Sequence, residues 1–169
     1  MIAGIDPSLS GTAIYCNDGE HLLIKTTNKD NTDLNRMKYI VNTIITFLKA
    51  NEITTVGIEG FSYGSRGRSI SQMFGLGWLI RYKLSEEGIE YYDIPPHSWK
   101  KFLFNKVIPK GGKDLIILET YKKYDKEISN NNLCDSFNIM KFTETLINNN
   151  PETKVRKELI NKVRKLNDL

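Results

Sequence analysis

IAGIDPSLSGT, residues Ile2 to Thr12, decides how the rest of the chain is read. A short apolar run ends on an acid, Asp6, and a proline and small polar residues follow at once. Bounded in this way, Met1 to Ile5 reads as a buried strand. A strand that delivers a carboxylate at its end and then turns sharply is one way in which enzyme folds present a metal ligand. An acid at that place is equally a plain turn residue or a helix cap. The partners that the rest of the chain supplies decide between these readings.

Working outward, Gly11 to Tyr15 (GTAIY) and His21 to Thr26 (HLLIKT) read as the second and third strands. Asn17-Asp18-Gly19 joins them, and Asp-Gly favours the tight hairpin geometry. The first three strands therefore form an antiparallel meander. Asn31 to Asn51 reads as a helix, with Leu34, Met37, Ile40, Val41, Ile44, Ile45 and Leu48 on one apolar stripe and Thr32 as N-cap. Thr54 to Glu59 (TTVGIE) is a strand that again ends on an acid. A helical crossover makes strands one and four parallel neighbours. That topology sets Asp6 and Glu59 side by side.

Gly60 to Gly67 (GFSYGSRG) lacks periodicity and reads as a loop. Arg68 to Leu84 reads as a helix apolar around most of its circumference, through Ile70, Met73, Phe74, Leu76, Trp78, Leu79 and Tyr82. Such a helix is buried within the monomer or lies in an interface. Gly75 and Gly77 weaken it by roughly 1 kcal/mol each against alanine, so close approach of another backbone is expected there. Ile89 to Ile94 is the fifth strand, stopped by Pro95-Pro96, and His97 to Phe104 is a short helix. Asn105 to Gly112 is a lysine- and glycine-bearing loop, and Lys113 to Tyr124 is a helix. After the polar stretch Lys126 to Asn132, Leu133 to Ile147 is a helix. Asn148 to Pro151 breaks the chain before a last amphipathic helix, Glu152 to Leu166. The whole, residues 1–169, is expected to be one domain with a helical extension from about residue 151.

Composition narrows the function classes. Hydrophobic residues at 40% and charged residues at 26% are ordinary for a globular chain. No apolar run approaches the ~20 residues of a membrane span. The N-terminus lacks the regions of a signal peptide. Two cysteines, Cys16 and Cys134, without zinc spacing suit buried thiols in a reducing compartment, so a cytoplasmic location is expected, in a bacterium or, for a phage protein, its host. The net charge is +4. Lysines crowd the stretch from Lys100 to Lys126, which suits either a bound polyanion or a solvated face. His97 has no second His or Cys at ligand spacing and reads as a helix-start residue. Trp99 reads as core.

Hydrolysis of a phosphodiester by two metal ions needs carboxylates from separate elements around cations roughly 3.5–4 Å apart. Mg²⁺ prefers oxygen ligands and keeps waters, so few protein ligands suffice. Asp6 on strand one, Glu59 on strand four and Asp135 on a late helix meet that need. Asp135 stands among Leu133, Cys134, Phe137 and Met140, where a buried carboxylate needs a partner or a metal unless it caps the helix.

The ordered set GIDPSLSGTAI, VGIEGF, SISQMFGLGWLI, IPPHSWKKFL, GKDLIILETY and NNLCDSFNI resembles the successive motifs of the RuvC family of Holliday junction resolvases, nearest to phage-type and divergent members, over roughly Met1 to Phe142. The resemblance implies an α/β, RNase H-like fold: a five-stranded mixed sheet, its first three strands antiparallel, flanked by helices. It implies a homodimer that makes paired nicks in a four-way DNA junction, with Mg²⁺ or Mn²⁺ as cofactor, two ions per site. Asp6, Glu59 and Asp135 carry over as metal ligands. The family's further ligand, an acid one helical turn before the last Asp, falls here on Asn132 or Asn131. Asparagine offers a neutral carbonyl oxygen but no charge and no base. Three readings stand: a weaker natural metal site, an Asp→Asn change that traps substrate, or a polar linker with the ligand elsewhere. The resemblance gives Lys113 a phosphate-binding and transition-state role and Lys100 or Lys101 an earlier phosphate contact. Lys110 belongs to the same basic zone. Ser62, Tyr63, Arg66 and Arg68, in or beside the loop after Glu59, suit contact with bases and phosphates at the junction centre.

Helix Arg68 to Leu84 is the expected dimer face, since a two-fold protein suits a two-fold junction. Basic residues of the last helix extend the DNA surface or are simply solvated. The competing functions are a junction-binding protein without catalysis, favoured by the asparagines, and an actin-like ATPase or kinase, which needs a longer, two-lobed chain.

Overall fold

The computed structural model describes residues 1–27, 33–61, 68–106, 109 and 112–167, with the backbone alone at 68–69. Among these, five strands and six helices follow in the order β1 (Ile2–Asp6), β2 (Gly11–Cys16), β3 (His21–Lys25), α1 (Asp33–Ala50), β4 (Thr55–Glu59), α2 (Arg68–Glu86), β5 (Glu90–Ile94), α3 (Pro96–Phe104), α4 (Lys113–Tyr124), α5 (Asn131–Asn148) and α6 (Lys154–Leu166). The sheet order is β3-β2-β1-β4-β5. β1 pairs antiparallel with β2, β2 antiparallel with β3, and β1 parallel with β4, as the meander and the crossover predict. No helix among the described residues is long and apolar enough to cross a membrane.

Strand alternation sorts side chains between two layers. Ala3, Ile5, Val56 and Ile58 point into the core beneath α1 and α2, where Ile40, Ile44, Leu48, Leu76, Ile80 and Leu84 are buried. The opposite face carries Gly4 and Asp6 on β1 and Gly57 and Glu59 on β4, and α5 lies on that face. Phe137, Ile139, Met140, Phe142 and Leu146 of α5 are buried, each contributing roughly 1.5–3 kcal/mol relative to exposure. α3 and α6 complete this second layer through Trp99, Phe102, Leu159, Ile160 and Val163. Cys16 and Cys134 are buried and free, and burial pushes their thiols up to about 12 and about 11.

Several expectations change in detail. α5 begins at Asn131, because the Asn130 side chain accepts from the Leu133 N–H and caps the helix. Asparagines that read as a linker are thus its cap and first turn. Leu34, read on the apolar stripe of α1, is exposed, as are Leu118, Tyr121 and Leu166 of the later helices. Among the described residues, side chains and not backbone come nearest to the α2 glycines. A Cβ at Gly75 would meet, among the described residues, only Met37, at 3.7 Å, whereas one at Gly77 would strike the Phe61 ring at 2.5 Å. Gly77 makes room for an aromatic side chain. The inner face of α2 is monomer core through Leu76, Ile80 and Leu84, while Trp78 and Tyr82 remain 60% and 64% exposed.

Candidate functional site

The site is built at the ends of two adjacent parallel strands. β1 and β4 run in register from Ile2↔Thr55 to Ile5↔Ile58, so Asp6 and Glu59 are the next residues on each. The turn after Asp6 is locked. The Ser8 N–H donates to Thr12 Oγ1 (3.0 Å), that hydroxyl donates to Ser8 O (2.6 Å), and Arg36 Nη2 donates to Leu9 O (2.8 Å). Asp6 therefore sits at the mouth of a rigid hairpin and is 9% exposed.

The third acid arrives through close packing. A Cβ on Gly4 would lie 2.2 Å from Ser136 O and 2.4 Å from Met140 N, and one on Gly57 would overlap the Thr143 hydroxyl. Only bare backbone at these two positions, paired across β1 and β4, lets α5 lie this close. Asp135, beside Ser136 on that helix, is thereby brought within electrostatic range of both strand acids. A signal for this contact was in the sequence: both strands read Gly-Ile-acid, GID and GIE.

Burial and like charge act together on the cluster. The Asp6 carboxyl is raised well above the usual aspartate range, first by burial, then by Glu59 and Asp135, and it lies within hydrogen-bonding reach of Glu59. Asp135 is pushed up to about 6 by burial and by Glu59, with Lys100 and Lys113 opposing. Among the described residues no three His, Cys, Asp or Glu side chains stand close enough together to hold a metal ion as they are. Mg²⁺ keeps several waters and needs few protein ligands, so an open set of acids suits it.

The asparagines divide the remaining work. Asn130 is the cap. Asn132 Nδ2 donates to Gly11 O (2.8 Å) and ties α5 to β2. Asn131 Oδ1 is buried with no hydrogen-bond partner among the described residues. A buried acceptor left unpaired is destabilising by about 1–3 kcal/mol, unless something absent from the chain completes it. Asp6, Glu59, Asp135 and Asn131 offer oxygen donors only, the chemistry that a hard divalent cation takes.

Of the expected DNA contacts, Lys113 is exposed at the start of α4 and its charge reaches both Asp6 and Asp135. Lys100 acts on Asp135 and lies 5.0 Å over the Trp99 ring, whereas Lys101, half-buried in the last turn of α3, shows no such link to the acids. Ser62, Tyr63, Arg66, Lys110 and the side chain of Arg68 lie outside the described residues. Sequence reasoning missed two groups. Trp99 Nε1 donates to Glu59 Oε1 (3.0 Å), and Arg81 Nη2 donates to the Glu59 main-chain oxygen (3.2 Å). Neither had a local signal, since each lies in a helix and meets its partner only through the fold.

The raised carboxyls make metal-free stability depend on pH. A folded-state value above the unfolded one means that the folded chain binds protons more tightly. The destabilisation from Asp135 is fully present above about 6 and fades as pH falls toward its ordinary value of 3.8. In chelator, melting temperature should rise as pH drops from about 7.5 to about 5, and Asp135→Asn should flatten the slope. An identical slope in that variant would contradict this account.

No protein family profile matches the chain, and no characterised protein matches it in sequence. Solved structures do. Thermus thermophilus RuvC superposes with a TM-score of 0.66 at 16% identity, covering 82% of this chain and 90% of that one. T. thermophilus RuvC in complex with Holliday junction substrate gives the same score and identity, covering 82% and 88%. The yeast mitochondrial Holliday junction resolvase Ydc2 aligns with a TM-score of 0.47 at 10% identity, covering 98% and 82%. The RuvC likeness establishes the RNase H-like fold.

Proposed function

We propose that this chain is a structure-selective DNA endonuclease that resolves four-way junctions by metal-dependent phosphodiester hydrolysis. The observation that carries the reading is the convergence of Asp6, Glu59 and Asp135 from β1, β4 and α5, with the Asn131 oxygen, one helical turn before Asp135, lacking a partner among the described residues. Asp6 and Asp135, raised by burial and by neighbouring acids despite Lys100 and Lys113, mark a place that favours further positive charge. A fold shared with a protein that holds a Holliday junction substrate supports the DNA class.

Asp6, Glu59, Asp135 and Asn131 would hold the divalent ions, Mg²⁺ or Mn²⁺, two per site. Bound there, the ions would supply Lewis acidity toward water and the scissile phosphate. Asp6 anchors the cluster between the two strand ends, and its rigid turn keeps that anchor in place. Lys113 and Lys100 bring positive charge to the rim, where a backbone phosphate would meet it. Lys101 and Lys110, with Ser62, Tyr63, Arg66 and Arg68 after Glu59, extend the contact along the DNA. The exposed aromatic face of α2, Trp78 and Tyr82, suits a second copy of the chain, and a homodimer would pair the nicks across the two-fold junction. The competing reading, a junction-binding protein without cutting, draws support from the neutral residue at 131.

A synthetic four-way junction tests both. Paired symmetric nicks are expected with Mg²⁺ or Mn²⁺, absent in chelator and in Glu59→Gln. Tight binding with no cutting under any divalent ion would replace the nuclease reading with the binding one. Asn131→Asp should lower the Mg²⁺ concentration needed for cleavage, because it adds charge where an oxygen stands unpaired. Asn132→Asp should bring no gain, since it loses the donor to Gly11 O. A gain from the change at 132 alone would move the fourth ligand there.

A further inference from the structure

Glu59 is held twice, by two residues outside the acid cluster. Its main-chain oxygen accepts from Arg81 Nη2 (3.2 Å). Arg81 is itself 2% exposed and fixed by Asp93 Oδ1, at 2.8 Å from Nε and 2.5 Å from Nη2, and by Gly77 O (2.9 Å). The backbone at Glu59 is thus pinned from below. The carboxylate is not, because glutamate keeps three side-chain torsions beyond its Cα. Its Oε1 accepts from Trp99 Nε1 (3.0 Å), and Trp99 is fully buried. An indole N–H donates one hydrogen bond and accepts none, so this contact holds Oε1 alone.

Trp99 has no room to turn. α3 carries it between α5 and α6: the Phe102 ring meets Phe142 edge-on at 5.0 Å, and Arg156 of α6 donates from Nε to Phe102 O (3.3 Å). Asn167, just past α6, bonds both main-chain groups of Asp93, the partner of Arg81. The last helix therefore braces both holds on Glu59.

We propose that Trp99 is a positioning residue of the metal site: its indole N–H fixes the Glu59 carboxylate in the orientation that binds the divalent ion, without touching the DNA. A core tryptophan whose N–H merely found the nearest acceptor would matter to stability alone. The proposal rests on the metal-dependent nuclease reading. Partners that orient a ligating side chain shift metal affinity about 10–100-fold when removed.

Trp99→Phe keeps an aromatic ring and deletes the donor. The expected result is a rise of about 10–100-fold in the Mn²⁺ concentration that half-saturates cleavage, with junction affinity in Ca²⁺ unchanged and with cleavage recovered at high Mn²⁺. The wild-type chain supplies a readout independent of the variant's folding. It has two tryptophans, Trp99 fully buried and Trp78 60% exposed, hence two indole N–H resonances. Titration with Mg²⁺ should move the Trp99 resonance and leave that of Trp78 in place, and Glu59→Gln should abolish the movement. A Trp99 resonance unmoved while cleavage saturates overturns the proposal, as does a Trp99→Phe protein with wild-type metal dependence. If the wild-type chain cuts no junction under any divalent ion, the nuclease reading fails instead, and the two failures are distinguishable.

Discussion

Asp6→Asn should abolish metal-dependent junction cleavage, by roughly a thousandfold or more, and raise the melting temperature of the metal-free protein. The two effects have one cause. Asp6 is the most buried of the three acids, and its carboxyl is raised by burial, by Glu59 and by Asp135. Without a cation, an ionised Asp6 is a buried charge beside two others of the same sign. An amide of the same shape removes that charge and keeps the packing, so the fold gains. Each 1 kcal/mol of relief corresponds to roughly 2–4 °C in a chain of this length. With a cation, the same amide removes the central ligand. Cleavage within tenfold of wild type, or a lower melting temperature in chelator, would refute the assignment. Adding Mn²⁺ should raise the wild-type melting temperature and leave that of the variant nearly unchanged, because only the former binds the ion.

Gly4→Ala should be the most damaging single-methyl change among the described glycines. The new Cβ would sit 2.2 Å from Ser136 O, 2.4 Å from Met140 N and 2.9 Å from Met140 Cα, all backbone atoms of α5. A flexible side chain could swing aside, but a helix backbone can yield only by moving as a whole. Overpacking of this kind destabilises by about 3 kcal/mol or more. That corresponds to a fall of roughly 6–12 °C in melting temperature. The displacement would also lift Asp135 away from Asp6 and Glu59, so activity should fall below what the loss of folded protein explains. Gly75→Ala is the control. Among the described residues its Cβ meets only the Met37 side chain at 3.7 Å, and alanine favours the helix, so that variant should be neutral or stabilised by up to about 1 kcal/mol. Equal losses in the two variants would show that the tight α5 packing is not what Gly4 provides.

Much of the fold was legible because its signals are local. Alternation, turn residues and the apolar stripe of α1 mark the meander and the crossover, and the crossover makes β1 and β4 neighbours. That places two acids together from chain order alone. The site was legible in part for the same reason. Asp135 was read from its apolar surroundings, and the structure gives capping to Asn130, so Asp135 is left to the acid cluster. The α2 helix read as nearly all apolar, and the fold splits that surface into a core side and an exposed aromatic side. Periodicity does not say which half finds a partner.

The sequence by itself determined the order of elements, the parallel pairing that aligns Asp6 with Glu59, and the late helix that carries Asp135, since each follows from interactions between near neighbours in the chain. Only the tertiary structure decided the duties of Asn130, Asn131 and Asn132, and the partners of Glu59. Asn132 finds Gly11 across 121 residues, and Trp99 finds Glu59 across 40. Such contacts depend on how closely α5 and α3 settle on the sheet, and that distance is set by two glycines whose missing side chains have meaning only once the helix lies against them.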